Sequence, residues 1–216
     1  MKKTIRVTAL VAMFLPAVAM AESVDLNVIG TIIPTSCIPA FVGGSTVNLR
    51  KISAATLNST TQTILPGRDI SLAINCDAPA PVEVSVRDNR EATKLPGISD
   101  GAGQNDPTLF FGLGEINGTP IGGFALRHGT PETDGTGRAL LTRTLTAPAW
   151  QIPTSTLVSN APALYSWGIN ATTGPVAARH HAFPMQLLPI IGPSNALPIT
   201  SDIPLDGSVT FDMFYI

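Results

Sequence analysis

The stretch Val82-Glu83-Val84-Ser85-Val86-Arg87 is the clearest indicator of the fold, because apolar β-branched residues alternate with polar ones along its whole length. This period of two is typical of a strand that buries one face. Ile70-Ser71-Leu72-Ala73-Ile74-Asn75 alternates in the same way and ends at Cys76. Together the two stretches predict a β-rich domain.

Similar signals recur along the chain. The segment Val24-Asp25-Leu26-Asn27-Val28 alternates, and residues 208–216 predict a last strand with Val209, Phe211, Met213 and Tyr215 on one face. Further strands are predicted at 46–52, 109–116, 122–127, 138–145 and 164–169, with a hairpin turn at Asn117-Gly118. Residues 183–190 contain two prolines, which predicts an edge or irregular strand. About ten short strands predict an all-β sandwich or barrel.

Residues 1–21 have the three parts of a secretory signal peptide. A basic start precedes an apolar run from Val7 to Met20, which is shorter than the ~20 residues of a membrane span. We therefore expect cleavage between Ala21 and Glu22, export through the periplasm, and a single domain over residues 22–216. Cleavage removes three of 13 basic residues and none of 15 acidic ones, which leaves a net charge of −5.

The composition narrows the function classes. No basic cluster remains in residues 22–216, so a nucleic-acid partner is not expected. Only 13% of the residues are charged, whereas soluble domains usually carry ~25%. Such a surface is adhesive and suits a protein that packs against copies or partners.

Cys37 and Cys76 are the two cysteines of the chain. An isolated pair in an oxidising compartment predicts a disulfide. A metal site or a nucleophilic thiol is the alternative, but none of the three histidines is close in sequence.

Two turn-rich stretches, near residues 88–108 and 147–162, are predicted loop insertions that could hold a binding function. Trp150 lies in the second, and Tyr165 and Trp167 follow it. These aromatic residues indicate a core or an interface, with contact to a glycan as the alternative.

We find no catalytic, metal-binding or cofactor-binding motif, so the chain is not expected to be an enzyme or to hold a cofactor. His180 and His181 would face opposite ways in a strand, and we interpret them as a solvated loop end. Gly112-Leu113-Gly114 is interpreted as a bulge and not as a nucleotide site.

The order of these features resembles the pilin domain of chaperone–usher fimbrial subunits. The likeness starts at Leu26-Asn27-Val28-Ile29-Gly30-Thr31-Ile32-Ile33-Pro34-Thr35-Ser36-Cys37 and continues with a second cysteine at the end of an alternating strand. Phe183-Pro184-Met185-Gln186-Leu187 is similar to a late strand of that family. Gly207-Ser208-Val209-Thr210-Phe211 and the penultimate Tyr215 complete the likeness, which covers residues 24–216.

The resemblance implies an incomplete immunoglobulin-like β-sandwich that is completed by a donated strand. Its implied partners are a periplasmic pilus chaperone, an outer-membrane usher and neighbouring pilus subunits, and its implied location is the fimbrium at the cell surface. The strand formed by Val209, Phe211, Met213 and Tyr215 would be one wall of the groove that receives the donated strand and that faces the chaperone.

Two questions stay open from the sequence. Either Val24, Leu26 and Val28 are donated and the first strand lies elsewhere, or the chain only accepts a strand and lies at the fibre tip. The leading hypothesis is a structural, minor or tip-proximal subunit that contributes to adhesion. The alternatives are a tip adhesin that binds a surface glycan and a free periplasmic β-sandwich that binds a ligand.

Overall fold

The structure, a computed structural model, describes residues 24–32, 35–160 and 162–216. The predicted signal peptide and its cleavage site at Ala21 and Glu22 lie outside the described residues. The chain divides into two units, Met1–Ile33 and Pro34–Ile216. Among the described residues, no helix is long and apolar enough to cross a membrane.

The described part of the second unit is built from antiparallel strands. They are β1 (Cys37–Phe41), β2 (Thr63–Ile64), β3 (Arg68–Ala80), β4 (Val82–Asp88), β5 (Phe111–Gly112), β6 (Glu115–Ile116), β7 (Thr119–Pro120), β8 (Gly122–His128), β9 (Glu132–Thr133), β10 (Thr136–Gly137), β11 (Ala139–Thr144), β12 (Ala163–Gly168), β13 (Ala178–Ile191) and β14 (Val209–Tyr215). Four single 3₁₀ turns occur at Ala54–Thr56, Glu91–Thr93, Pro107–Leu109 and Ser194–Ala196.

Two sheets form the sandwich. The first has the order β1-β3-β13-β8-β5, with β2 and β9 also paired to β13 and β10 paired to β9. The second has the order β11-β12-β4-β14, and β6 and β7 form a separate hairpin. The main core lies between the two sheets, and its largest buried side chains include Phe111, Phe183 and Trp167. The prediction of an all-β sandwich is confirmed.

The predicted strand Val82–Arg87 lies at the centre of the second sheet. As β4 it pairs with β12 on one side and with β14 on the other. Val82, Val84 and Val86 are at most 2% exposed and pack into the main core, as their alternation predicts. Burial of three such side chains contributes about 1.5–3 kcal/mol each.

The disulfide between Cys37 and Cys76 is present and joins β1 to β3 at directly opposite positions. The predicted hairpin turn is also present, with Asn117 and Gly118 both at positive φ between β6 and β7. This backbone conformation explains the asparagine–glycine pair, because both residues tolerate it better than others.

Three predicted local structures are wrong. No strand forms at Val24–Val28, where the described residues have no backbone partner and Val24, Leu26 and Val28 are 88–95% exposed. No strand forms at 46–52 either, where Arg50 has a φ of 60° that interrupts an extended chain. The segment 183–190, predicted to be an edge or irregular strand, lies in β13 at the middle of the first sheet and keeps a regular register with both neighbours.

The two prolines of β13 are tolerated because each lies opposite the end of a shorter strand. The carbonyl of Pro184 accepts a hydrogen bond from Gly129, just beyond β8, and that of Pro189 accepts one from Leu65, just beyond β2. In an antiparallel strand the nitrogen of a residue faces the same side as its carbonyl. The missing N–H groups therefore face positions where the neighbouring ladder has ended.

The insertions build a second core on the outer face of the first sheet. This core contains Ile98 from the first insertion, Leu109 and Phe110 just after it, and Leu157 from the second insertion. They pack on Ala125, Leu188 and Ile190. Asp88 closes the base of the first insertion, because its carboxylate accepts hydrogen bonds from the backbone N–H groups of Arg90 and Gly112 at 2.8 and 2.9 Å. Burial raises the pKa of Asp88. The insertions are therefore anchored layers rather than free loops.

The histidine pair is not a solvated loop end, and that interpretation is wrong. Both residues lie in β13, where His180 is exposed and His181 is 2% exposed. The indole Nε1 of Trp167 donates to Nδ1 of His181 at 2.8 Å, and Nε2 of His181 lies 3.1 Å from the carbonyl of Ala178. Only the neutral ring accepts the indole proton.

We predict that acid destabilises the fold through His181. Burial lowers the pKa of His181 below its ordinary 6.5, an effect that Asp134 opposes and His180 reinforces. As the pH falls, His181 therefore takes up a proton in the unfolded chain at a higher pH than in the folded chain. The contribution of neutral His181 to the free energy of unfolding is fully present above about pH 6.5 and is lost below it, by at most ~1.4 kcal/mol per pH unit. Urea unfolding of His181→Gln between pH 7 and 5 should show a smaller loss than the parent chain. His180→Gln is the control; since it leaves His181 in place, it should lose more stability between pH 7 and 5 than His181→Gln does, and an equal effect of both substitutions would contradict this assignment.

Candidate functional site: an open groove beside the last strand

The last strand, β14, has a free edge. It pairs with β4 over its whole length, from Val209 opposite Asp88 to Tyr215 opposite Val82. Among the described residues no strand pairs with its other edge. Unpaired edges are templates for the addition of another strand.

A large cleft lies along this free edge and opens into the main core. Its volume is about 1170 Å³. The floor consists of apolar side chains from both the first sheet and the loops, namely Ile70, Leu113, Phe124, Leu126, Leu187 and Ile191. We call this cleft the groove.

One wall of the groove is β14 itself. Val209, Phe211 and Met213 are half-buried and pack against the main core, while Thr210, Asp212 and Phe214 occupy the opposite face of the strand. The predicted apolar face of the last strand therefore points inward, and Val209 and Phe211 line the groove directly.

The opposite wall is the segment 44–53, which follows β1. Val47 and Leu49 are half-buried, and Asn48 between them is exposed. Within the described chain, residues 45–52 make no backbone–backbone hydrogen bond. Both long walls of the groove therefore present unpaired backbone groups, which a strand laid between them could satisfy.

Two contacts connect β1 to β14 beside the groove. The rings of Phe41 and Phe211 meet edge to face with their centroids 5.2 Å apart. At the end of β14 the backbone N–H of Cys37 donates to the hydroxyl oxygen of Tyr215 at 2.7 Å. This bond links the last strand to the disulfide-bonded start of β1, so Tyr215, half exposed itself, fixes one end of the groove.

The segment that leads into β14 closes the other end. Ion pairing holds it on the first insertion, with Arg90 and Asp206 2.8 Å apart. Gly207 lies so close to the core that a Cβ atom would be 2.9 Å from Phe124 and 3.0 Å from Leu113. Only glycine fits there without displacing either side chain, which explains why the glycine before the last strand was a useful sequence signal.

The aromatic residues singled out from the sequence separate into two groups. Tyr165 and Trp167 are 3% and 1% exposed and belong to the main core, as the first interpretation expected. Trp150 is half-buried outside that core, where the guanidinium of Arg143 lies 4.9 Å from its ring centroid. Arg143 also forms a bidentate ion pair with the buried carboxylate of Glu83.

Sequence reasoning missed the second wall and most of the floor. Val47 and Leu49 were assigned to a strand, and the floor residues come from four separate stretches of the chain. Of the residues that the sequence offered as a first strand or as a donated strand, Val24, Leu26 and Val28 are all at least 88% exposed.

Comparison with known proteins gives two similarities. Residues 26–125 match the family DUF1120, described as a protein of unknown function. The chain is also similar to Protein GltF of Escherichia coli (strain K12), with 25% identity over 238 aligned residues that cover 95% of this chain and 93% of that protein.

We predict that Phe211 contributes much more to stability than Phe214. Phe211→Ala removes the edge-to-face contact with Phe41 and part of the core, so it should lower the free energy of unfolding by about 2–3 kcal/mol. Phe214→Ala is the matched control on the opposite face, where the side chain is 45% exposed, and should cost less than about 1 kcal/mol. Urea denaturation measures both values. Equal losses would contradict the inward assignment of Phe211.

Proposed function

We propose that this chain is a structural subunit of a bacterial chaperone–usher fimbria, assembled by donor-strand exchange and contributing to surface adhesion. The observation that carries the proposal is the groove beside the free edge of β14, which leaves the sandwich one strand short. An apolar groove with unpaired backbone on both walls is a liability for an isolated protein. A donated strand would fill it.

Residues 24–32 supply a segment of suitable chemistry for donation. Val24, Leu26, Val28, Gly30 and Ile32 occupy alternate positions, so an extended conformation directs all five to one side. The four apolar side chains would each gain about 1.5–3 kcal/mol on burial. Residues 24–32 form no strand in the structure, and the first strand of the sandwich, β1, begins at Cys37. This supports the alternative in which Val24, Leu26 and Val28 are donated to a neighbour.

The exchange requires two successive occupants of the groove. In the periplasm a pilus chaperone would lend a strand, and at the outer-membrane usher the N-terminal segment of the next subunit would replace it. Main-chain hydrogen bonds to both walls would give affinity, and the apolar floor would select the register. A minor or tip-proximal position, which the two insertions favour, stays a prediction.

We predict that a peptide of residues 24–32 stabilises a chain from which those residues have been deleted. The peptide should raise the melting temperature in a saturable manner, because it supplies both the missing strand and four apolar side chains. A control peptide with Leu26→Ser and Val28→Ser should fail, whereas one with Asp25→Ser and Asn27→Ser should act like the parent. Thermal unfolding monitored by circular dichroism measures the effect.

In a second control, the substitutions are made in the chain that carries the groove and not in the peptide. Phe211→Ser should weaken the response to the parent peptide, and Phe214→Ser should not. If the deleted chain is a stable monomer that ignores every peptide, and co-expression with a periplasmic pilus chaperone changes neither its yield nor its proteolysis, the proposal fails.

A further inference from the structure

A second concave surface lies on the outer face of the first sheet, away from the groove. It is a cleft of about 480 Å³ over β3, β13 and β8. Its side chains come from alternate positions whose neighbours Ile70, Leu187 and Leu126 point into the main core. They include Val42, Asp69, Ser71, Arg127, Pro184 and Gln186; Ile70, His128, Gly129 and Met185 also line the cleft.

Three polar side chains form a row across this cleft. Asp69 lies opposite Gln186 in the ladder, and Gln186 lies opposite Arg127. The amide Nε2 of Gln186 donates to Oδ1 of Asp69 at 3.1 Å. Because neighbouring strands are ~4.8 Å apart, the row presents a carboxylate, an amide and a guanidinium over about 10 Å.

The row directly beside it consists of small residues, which makes the surface concave. Ser71 lies opposite Pro184, and Gly129 donates its backbone N–H to the carbonyl of Pro184 at 2.8 Å. A Cβ atom on Gly129 would lie 3.2 Å from the ring of Pro184. Together with Val42, these residues form a low floor and an apolar side against which the ring of a ligand could pack.

Arg127 is the unusual member of the polar row. Four cationic side chains of the described chain have neither an ion pair nor a side-chain hydrogen bond, namely Arg50, Lys51, Arg68 and Arg127. The first three are exposed, and Arg127 is half-buried in the cleft. A partly desolvated guanidinium without a partner is costly, and its planar donors match a carboxylate in bidentate geometry.

We propose that this cleft binds an acidic monosaccharide unit, with the sugar carboxylate on Arg127 and its hydroxyl groups on Gln186 and Asp69. The carboxylate of Asp69 accepts hydrogen bonds from hydroxyl groups and repels a second negative charge, so the row selects a singly charged, hydroxyl-rich ligand over phosphate-rich ones. The inference goes beyond the proposed function and does not depend on the groove, because no side chain of the polar row lines that groove.

Equilibrium dialysis of labelled sugars against the exported full-length chain tests the site, in whichever assembly state the chain is purified. The probes are glucuronate and N-acetylneuraminate, with glucose as the neutral control. We expect saturable binding of at least one acidic probe and at least tenfold weaker binding by Arg127→Gln. Arg68→Gln is the matched control, since Arg68 is an exposed, unpaired arginine beside Asp69, and it should bind like the parent chain.

Three outcomes would overturn the proposal. They are an absence of binding for both acidic probes, equal binding of glucose, and equal losses in Arg127→Gln and Arg68→Gln.

Asp69→Asn provides a second variant on the other end of the row, and it should weaken sugar binding while retaining competition by acetate. Sugar binding that inorganic sulfate displaces as readily as the acidic sugar does would also overturn it, since that result indicates a general anion site.

Discussion

The backbone of β14 has hydrogen-bond partners on one side only, and this imbalance governs the arrangement around it. On its other side the segment 44–53 approaches without supplying a ladder, so an apolar floor is left uncovered between two unpaired backbones. Specific contacts fix the elements at its ends in position. Phe41 against Phe211 and Cys37 to Tyr215 fix one part, and Arg90 with Asp206 fixes another.

The first sheet can hold these contacts because both of its faces are packed. One face shares the main core with the second sheet, and part of the other carries the insertions. Glycine makes this second layer possible, since a Cβ at Gly123 would lie 2.5 Å from Ile98 and one at Gly112 would lie 2.1 Å from the carbonyl of Arg90. Gly112 is therefore a point of close chain approach rather than the bulge that the sequence indicated. The resulting layer packs on β13 and β8, the strands that also supply residues to the groove floor and to the outer cleft.

The sequence was informative wherever alternation coincided with burial on one face. Val82–Arg87, Ile70–Asn75 and Val209–Tyr215 all form the expected strands, and their apolar faces point inward. The same alternation misled at Val24–Val28, because a strand also needs a backbone neighbour and none is available among the described residues. In 183–190 the prolines led us to predict an edge or irregular strand where the structure has a central one. A proline is tolerated in a central strand if the adjacent strand ends beside it, and where that strand ends cannot be read from the segment itself.

The sequence alone determined the fold class, the disulfide between Cys37 and Cys76, and the apolar face of the last strand. The fold class and the apolar face depend on local alternation, and two cysteines allow only one pairing. The tertiary structure decided that the edge of β14 is free, that the residues 44–53 form the facing wall, and that His181 is buried beside Trp167. It also placed Asp69, Gln186 and Arg127 in one row although they are far apart in the chain. Register and strand order bring such residues together, and these arise from long-range hydrogen bonding and packing that no local pattern encodes.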